Sequence, residues 1–282
     1  MQIEKILPAN GPSIDEVKKY IDKYSKDIIV IKCGGSVLLD KNLFDQFIED
    51  ISVIYKIGLS AVVVHGGGKN IKKKLDEQNI ESNFIDGLRV TDKKTIKIVE
   101  KALLELNLEI LNNLKNHHAK GYSINPIENN IITVKPDRGE LGYVGTPISV
   151  DKTEIMNSIN NKKIPIIVPM GLGNNKKIYN INADIAAGSI AKELKARRLL
   201  LMTDVDGVLD QNKKLISEIN SRIANSMLKQ KIISGGMIPK INTCLDAVNN
   251  GVTGVVIVDG RKPHSILFEL FSDKGAGTLI RK

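Results

Sequence analysis

The chain has 282 residues, 42% hydrophobic and 26% charged, with a formal net charge of +9. This is the composition of a globular protein long enough to bury a full core as one unit or two lobes. No apolar run approaches the roughly 18 residues of a membrane span, and Met1-Gln2-Ile3-Glu4-Lys5 lacks the apolar stretch of a secretory signal.

Cys33 and Cys244 have neither metal nor redox spacing, which fits a reducing compartment. The excess of Lys comes with only 4% aromatics and no Arg-rich block. It reads as compositional drift that gives a field suited to anionic substrates, not as a nucleic-acid surface.

In chain order, residues 13–26 read as an amphipathic helix. Ser13 and Glu16 form a capping box, and Ile14, Val17, Ile21 and Tyr24 share a face. That face covers either the chain's own core or a partner. Strand 28–33, a helix near 42–57, strand 61–65 and a helix near 69–79 alternate as in a parallel sheet.

A hairpin is expected at 83–90 around Asp86-Gly87, then a long helix over 92–116 and short strands within 122–150. A helix at 152–161 leads to strand 164–169. The second half repeats the alternation with helix 183–195, strand 198–203, helices near 221–229 and 239–250, strand 254–258 and a final helix–strand pair. The halves are expected to share one continuous sheet, with a weak boundary near 172–179.

Two of these strands end in glycine clusters. Ile28–Cys33 runs into Gly34-Gly35-Ser36, and Ala61–His65 runs into Gly66-Gly67-Gly68-Lys69. Unbroken β-branched runs mark strands buried on both faces. Glycines after such strands let backbone N–H groups approach an anion closely. Two adjacent clusters suggest one site for two anionic groups, which points to phosphate chemistry.

The P-loop and dinucleotide fingerprints, H-E-x-x-H and G-x-S-x-G are absent, and His65, His117, His118 and His264 have no metal spacing. His65 reads as structural. Lys32 alone reads as a strand-end lysine, but beside Gly34-Gly35 it reads as a phosphate contact.

Further motifs follow in order: Gly87-Leu88-Arg89-Val90-Thr91, Asn180-x-Asn182-Ala183-Asp184, Thr203-Asp204-x-Asp206-Gly207 and Gly235-Gly236-Met237-Ile238-Pro239-Lys240. Together with the glycine clusters, this ordered set resembles the amino-acid kinase superfamily, and within it the N-acetylglutamate kinases, from about Tyr20 to Ile280.

The resemblance implies an α/β fold: a three-layer αβα sandwich on a central, mostly parallel sheet. It also implies an N-terminal segment at 1–27, an acyl-substrate lobe at 28–178 and a nucleotide lobe at 179–282. The implied activity is ATP-dependent phosphorylation of the γ-carboxylate of N-acetyl-L-glutamate in arginine biosynthesis, with Mg²⁺ held mainly by phosphates and no metal-ligating residue of the chain.

The resemblance assigns Lys32 and Lys240 to the transferring phosphoryl group and Asp184 to holding both lysines. Gly67, Gly68, Arg89 and Asn180 fall to the acyl substrate. Gly34, Gly35, Asp204, Val205, Asp206, Gly207, Val208, Leu209, Ile232, Ile233 and Ser234 fall to the nucleotide. Read without the resemblance, Asp184 is a first-turn helix acid, Asp204 and Asp206 are turn residues, and Arg89 is a hairpin arginine.

Arginine-inhibited members carry an N-terminal helix with a tyrosine matching Tyr20, and they form hexamers. For them the resemblance adds Arg198, His264, Glu269 and Gly277 as contacts to an L-arginine effector. Arg198 stands where a lysine is usual, and Cys33 and Lys69-Asn70 also depart from the common pattern.

The expected partners are N-acetyl-L-glutamate, ATP, L-arginine and further copies of the chain, with no nucleic acid or membrane. The compartment is cytoplasmic, a plastid stroma remaining open. Two other readings stay open: a kinase of the same fold acting on carrier-bound aminoadipate, and a non-catalytic ligand sensor.

Overall fold

The computed structural model describes residues 3–282; the first two residues of the expected N-terminal segment lie outside them. An eight-stranded sheet forms the centre. It is built from β1 (Ile28–Cys33), β2 (Ser60–His65), β5 (Gly121–Ile124), β8 (Ile164–Ile167), β11 (Arg198–Thr203), β12 (Glu218–Asn220), β13 (Val255–Asp259) and β14 (Gly277–Arg281). Their spatial order is β12-β14-β13-β11-β1-β2-β8-β5. All neighbours run parallel except β13 and β14. The sheet is therefore continuous through both halves.

Side-chain alternation along the strands separates two cores. Ile29, Ile31, Ala61, Val63, Leu200 and Val256 face one side, against α1 (Ile14–Tyr24), α2 (Lys41–Lys56), α4 (Thr95–Asn116) and α9 (Ser265–Phe271). Val30, Val62, Val64, Leu199, Leu201 and Val255 face the other, against α5 (Thr153–Asn160), α6 (Ala183–Glu193), α7 (Ser221–Lys229) and α8 (Met237–Asn249). Strands buried on both faces explain the unbroken β-branched runs of the sequence.

Helix α3 (Gly68–Asp76) packs on α4 in a third, smaller core. The expected hairpin is the short pair β3 (Phe84–Ile85) and β4 (Leu88–Arg89). Both residues of its turn, Asp86 and Gly87, have positive φ.

Helix α1 begins with the expected capping box: Glu16 N–H donates to Ser13 Oγ while Ser13 N–H donates to a Glu16 carboxylate oxygen. Val17 and Tyr24 are buried in the core it shares with α9. Burying such side chains stabilises a helix of this length by about 1.5–3 kcal/mol each. Of the two placements open in the sequence, this one covers the chain's own core.

The structure adds two features. β9 (Met170–Gly173) and β10 (Ile178–Asn180) form a hairpin where a boundary was expected. With β6 (Ile132–Pro136) and β7 (Gly145–Val150) they make a second sheet of order β10-β9-β6-β7. The expected division at 178/179 falls inside β10. The other addition is β12, a three-residue edge strand whose flanking Glu218 and Asn220 are exposed, so no apolar run announces it.

Candidate active site

Parallel strands deliver their C-terminal ends to one edge of the sheet, where open α/β sheets bind ligands. Here β1 and β2 are in register to their last residues, Cys33 opposite His65, so the two glycine clusters emerge side by side. β11 flanks β1 and ends in Thr203, just before Asp204. Gly66 N–H donates to the carbonyl of Cys33 at 2.6 Å and joins the two loops.

Gly35 has φ +68°, and a Cβ there would lie 2.4 Å from Asp204 Oδ1. No other residue fits this close turn. Asp204 Oδ1 accepts from Ser36 N–H at 2.8 Å and from Ser36 Oγ at 2.6 Å, and Oδ2 faces Lys69 Nζ at 3.4 Å. Burial opposes ionisation of Asp204, but these donors hold its carboxyl below the ordinary range.

A cavity of about 260 Å³ opens above the strand ends. Its walls bring together Lys32, Gly34, Gly35, Gly67, Gly68, Arg89, Asn180 and Asp184, which the sequence scatters over some 150 positions. Lys32 arrives at the end of β1, Asp184 in the first turn of α6 and Lys240 in the first turn of α8. Lys32 Nζ lies 3.0 Å from Asp184 Oδ1, and Lys240 Nζ 2.5 Å from Oδ2.

Two ammonium groups therefore share one carboxylate. Desolvation pushes the Asp184 carboxyl up, but the charges of Lys32 and then Lys240 outweigh it and hold the group far below the carboxylate range.

Arg89, on β4, is buried. Its guanidinium donates to the carbonyl of Gly68 at 2.9 Å and to Ser82 Oγ, and stacks 4.7 Å from the Phe84 ring. Burial lowers its pKa, while the charge of Asp76 acts in the other direction; an arginine stays protonated regardless. Asn180 donates from Nδ2 to Thr91 Oγ1 at 3.4 Å.

Among the wall residues to which sequence reasoning gave no role, Asn182 and Phe84 bear on the site. Asn182 caps α6 by accepting from Asp184 N–H and Ile185 N–H, which fixes where Asp184 points. Its signal was present, since Asn before a helical run is a cap. Phe84 is 57% exposed beside the cavity; a lone aromatic in a hairpin gives no such signal.

The residues expected to meet the nucleotide fall outside this cavity apart from Gly34 and Gly35. Val205, Leu209 and Asp206 are exposed on the loop after β11, with Asp206 paired to Lys262 at 2.8 Å. Gly207 has positive φ, and Val208 N–H donates to Thr278 Oγ1 at 2.9 Å. The side chains of Val208 and Ile233 lie in the core, Ile232 is half-buried, and Ser234 is exposed ahead of α8. The Val208 carbonyl also accepts from Ile216 N–H at 2.9 Å, so both backbone polar groups of Val208 are engaged within the chain.

A second cavity, also about 260 Å³, lies between α1, α9 and the sheet edge. It gathers Tyr20, Arg198, Glu269 and Gly277, with Lys23 and Asp273. Tyr20 OH donates to Asp273, and Glu269 accepts from Ala276 N–H at 2.7 Å. Burial pushes the Glu269 carboxyl up.

His264 was expected with this group, but it is absent from the lining. It is buried at the start of α9, where its Nδ1 lies 2.7 Å from Asp50 Oδ1 on α2. Asp50 raises the imidazole pKa through that hydrogen bond. A partner 214 positions away in sequence leaves no local trace.

Glycine loops at the ends of parallel strands, beside two lysines that converge on one carboxylate, define an enzyme that moves a phosphoryl group. The chain belongs to the amino acid kinase family, whose pattern matches residues 27–259. It is 56% identical to an acetylglutamate kinase of Pelagibacter ubique, over 100% of this chain and 98% of that one. It is 43% identical to an acetylglutamate kinase of Campylobacter fetus, over 93% of this chain and 94% of the other.

Among solved structures it resembles N-acetylglutamate synthase from Neisseria gonorrhoeae, complexed with coenzyme A and N-acetyl-glutamate. The TM-score is 0.87 at 23% identity, over 96% of this chain and 64% of that one. It also resembles carbamate kinase from Giardia lamblia bound to AMP-PNP, with a TM-score of 0.67 at 16% identity, over 91% and 98% of the two chains. These two likenesses concern the fold alone.

Proposed function

We infer that the protein is a kinase that transfers the γ-phosphoryl group of ATP to the γ-carboxylate of N-acetyl-L-glutamate in arginine biosynthesis, forming N-acetyl-L-glutamyl 5-phosphate. The observation that carries this reading is the convergence of Lys32 and Lys240 on Asp184 within reach of a cavity that also holds Arg89 and two glycine loops. The acetylglutamate kinases at 40–56% identity over nearly the whole chain favour this substrate over a carrier-bound aminoadipate. Keeping both lysines and Asp184 is what catalysis needs and what a ligand sensor does not.

A γ-carboxylate with an intrinsic pKa of about 4.3 is ionised at neutral pH and needs no general base. The obstacle is repulsion between an anionic nucleophile and an anionic triphosphate. The transition state spreads charge over equatorial oxygens, so cations and N–H donors are the groups that lower the barrier.

In this reading Lys32 and Lys240 flank the transferring group, and Asp184 keeps the two ammonium groups close together. Gly67 and Gly68 offer N–H groups, and Arg89 and Asn180 hold the acyl substrate, Arg89 by its α-carboxylate. Among the described residues lining the cavity, Asp184 is the lone carboxylate, and both its oxygens face ammonium groups. That donor set fits a Mg²⁺ ion that takes most of its ligands from phosphate oxygens and water; when bound, it supplies charge neutralisation on the phosphates.

The reading extends to control. The second cavity offers Glu269 to a guanidinium and Arg198 to a carboxylate, the two ends of L-arginine. The proposed protein is a cytoplasmic homo-oligomer, a dimer or a trimer of dimers, that L-arginine slows.

The test is acyl phosphate trapped as a hydroxamate, with ATP and a panel of acceptors. N-acetyl-L-glutamate should be turned over, and glutamate and aminoadipate derivatives should not. No hydroxamate from N-acetyl-L-glutamate would refute the reading.

A further inference from the structure

The first glycine of the second cluster is held by a buried network that the reading above does not use. His65, the last residue of β2, is fully buried. Its Nδ1 lies 2.9 Å from the carbonyl oxygen of Gly66, and its Nε2 lies 3.2 Å from Nδ2 of Asn107 on α4. Asn107, itself 2% exposed, also donates from Nδ2 to the carbonyl of Ile166 at 3.0 Å.

These partners settle the tautomer. The Gly66 oxygen can only accept, so Nδ1 carries the proton. Asn107 Nδ2 can only donate, so Nε2 must be the bare nitrogen. One neutral imidazole thus spans a donor on one side and an acceptor on the other. Burial keeps it neutral, pushing its pKa down to about 4.

The consequence lies in the peptide joining Gly66 to Gly67. A trans peptide is planar, with its C=O and N–H pointing in opposite directions. The carbonyl is drawn inward to the ring, so the N–H of Gly67 is turned outward. On that side Gly66, Gly67 and Gly68 line the cavity. Gly66 N–H is already tied to Cys33 at 2.6 Å, so both polar groups of Gly66 are engaged.

We propose that His65, set by Asn107, is a positioning residue: its Nδ1–H pins the Gly66 carbonyl and so aims the Gly67 N–H at the reacting oxygens. Without the pin a glycine-rich peptide is free to rotate. A donor misplaced by about 1 Å costs up to 10²-fold in rate. This inference rests on the kinase reading and on a role for Gly67 within it.

The experiment compares two amides. In His65→Asn the side-chain nitrogen stands where Nδ1 stood, and in His65→Gln it stands where Nε2 stood. The pin predicts that the asparagine variant keeps kcat within about fivefold, while the glutamine variant loses about 10²-fold. Both should leave KM for ATP nearly unchanged.

A packing role alone predicts the reverse order, since glutamine fills more of the imidazole volume. Glutamine matching or exceeding asparagine in kcat would therefore overturn the proposal. Should neither variant fold, side-chain nitrogen NMR of the native protein decides. A proton on Nδ1 that persists from pH 5 to 8 supports the pin, and a proton on Nε2 refutes it. The kinase reading fails separately, if the native protein yields no acyl phosphate.

Discussion

Asp184→Asn tests the arrangement of charge at the site most directly. The native carboxylate lies 3.0 Å from one ammonium nitrogen and 2.5 Å from the other. Its side chain is 16% exposed, and each lysine 12%, so solvent screens little. At about 4 Å between charge centres, and an effective dielectric constant near 20, each attraction amounts to about 4 kcal/mol before desolvation is charged against it.

Asparagine keeps the shape and one acceptor but leaves two like charges facing each other. Breaking a buried pair costs about 3–5 kcal/mol, and the retained hydrogen bond favours the lower end. For a chain of this size, about 3 kcal/mol lowers Tm by about 5 °C. Thermal denaturation followed by circular dichroism measures this.

Two controls sharpen the test. Adding Lys240→Met to Asp184→Asn removes the surplus cation and should recover several degrees while abolishing activity. Millimolar ADP should raise the Tm of Asp184→Asn more than that of the native protein, because two uncompensated ammonium groups bind the phosphates. The pH dependence has a defined sign. The folded carboxyl titrates below its unfolded value of about 3.9, so its stabilisation is complete above that pH and fades as pH falls further. An Asp184→Asn protein as stable as the native one without ligand would refute the picture of a carboxylate clamping two cations.

Three further outcomes follow from the same geometry. Lys32→Ala and Lys240→Ala should each lower kcat by about 10²–10³, the effect of losing one electrostatic stabiliser; near-normal turnover in steady-state assays would remove that lysine from the transfer step. Arg89→Lys loses the bidentate fork and the stacking on Phe84, so KM for N-acetylglutamate should rise while KM for ATP stays put, and equal effects on both would move Arg89 out of the acyl subsite. Glu269→Gln should leave the uninhibited rate intact and abolish slowing by millimolar L-arginine, whereas unchanged inhibition would place the effector elsewhere.

What was legible in the sequence was local. The capping box of α1 involves residues three apart, and β1 and β2 announce themselves by β-branched runs ending in glycine. The same glycines marked where the cavity opens, because a strand–glycine–helix junction exposes N–H groups whatever the rest of the fold does. Features without a local signature were missed: β12 is three residues long and mostly polar, and the turn between β9 and β10 has the composition of a domain junction. The resemblance placed His264 among the effector contacts, whereas in the structure its imidazole is engaged by the distant Asp50, away from the second cavity.

The site itself shows why resemblance reached further than pattern. Lys32, Asp184 and Lys240 belong to β1, α6 and α8, and each alone reads as an ordinary strand-end or first-turn residue. Only the sheet, with β11 beside β1 and α6 packed against α8, brings their head groups to within 3 Å of one carboxylate. A helix-cap argument stabilises Asp184 by its own dipole, worth at most about 1 kcal/mol at an exposed end. Two buried ammonium groups attract the carboxylate several times more strongly, and outweigh the burial that opposes its charge. The dominant energy at this residue is therefore long-range in sequence, and so is the function we infer from it. Neutralising Asp184 by mutation and crowding the cavity with phosphate should accordingly compensate each other, because both act on the charge balance of the same two lysines.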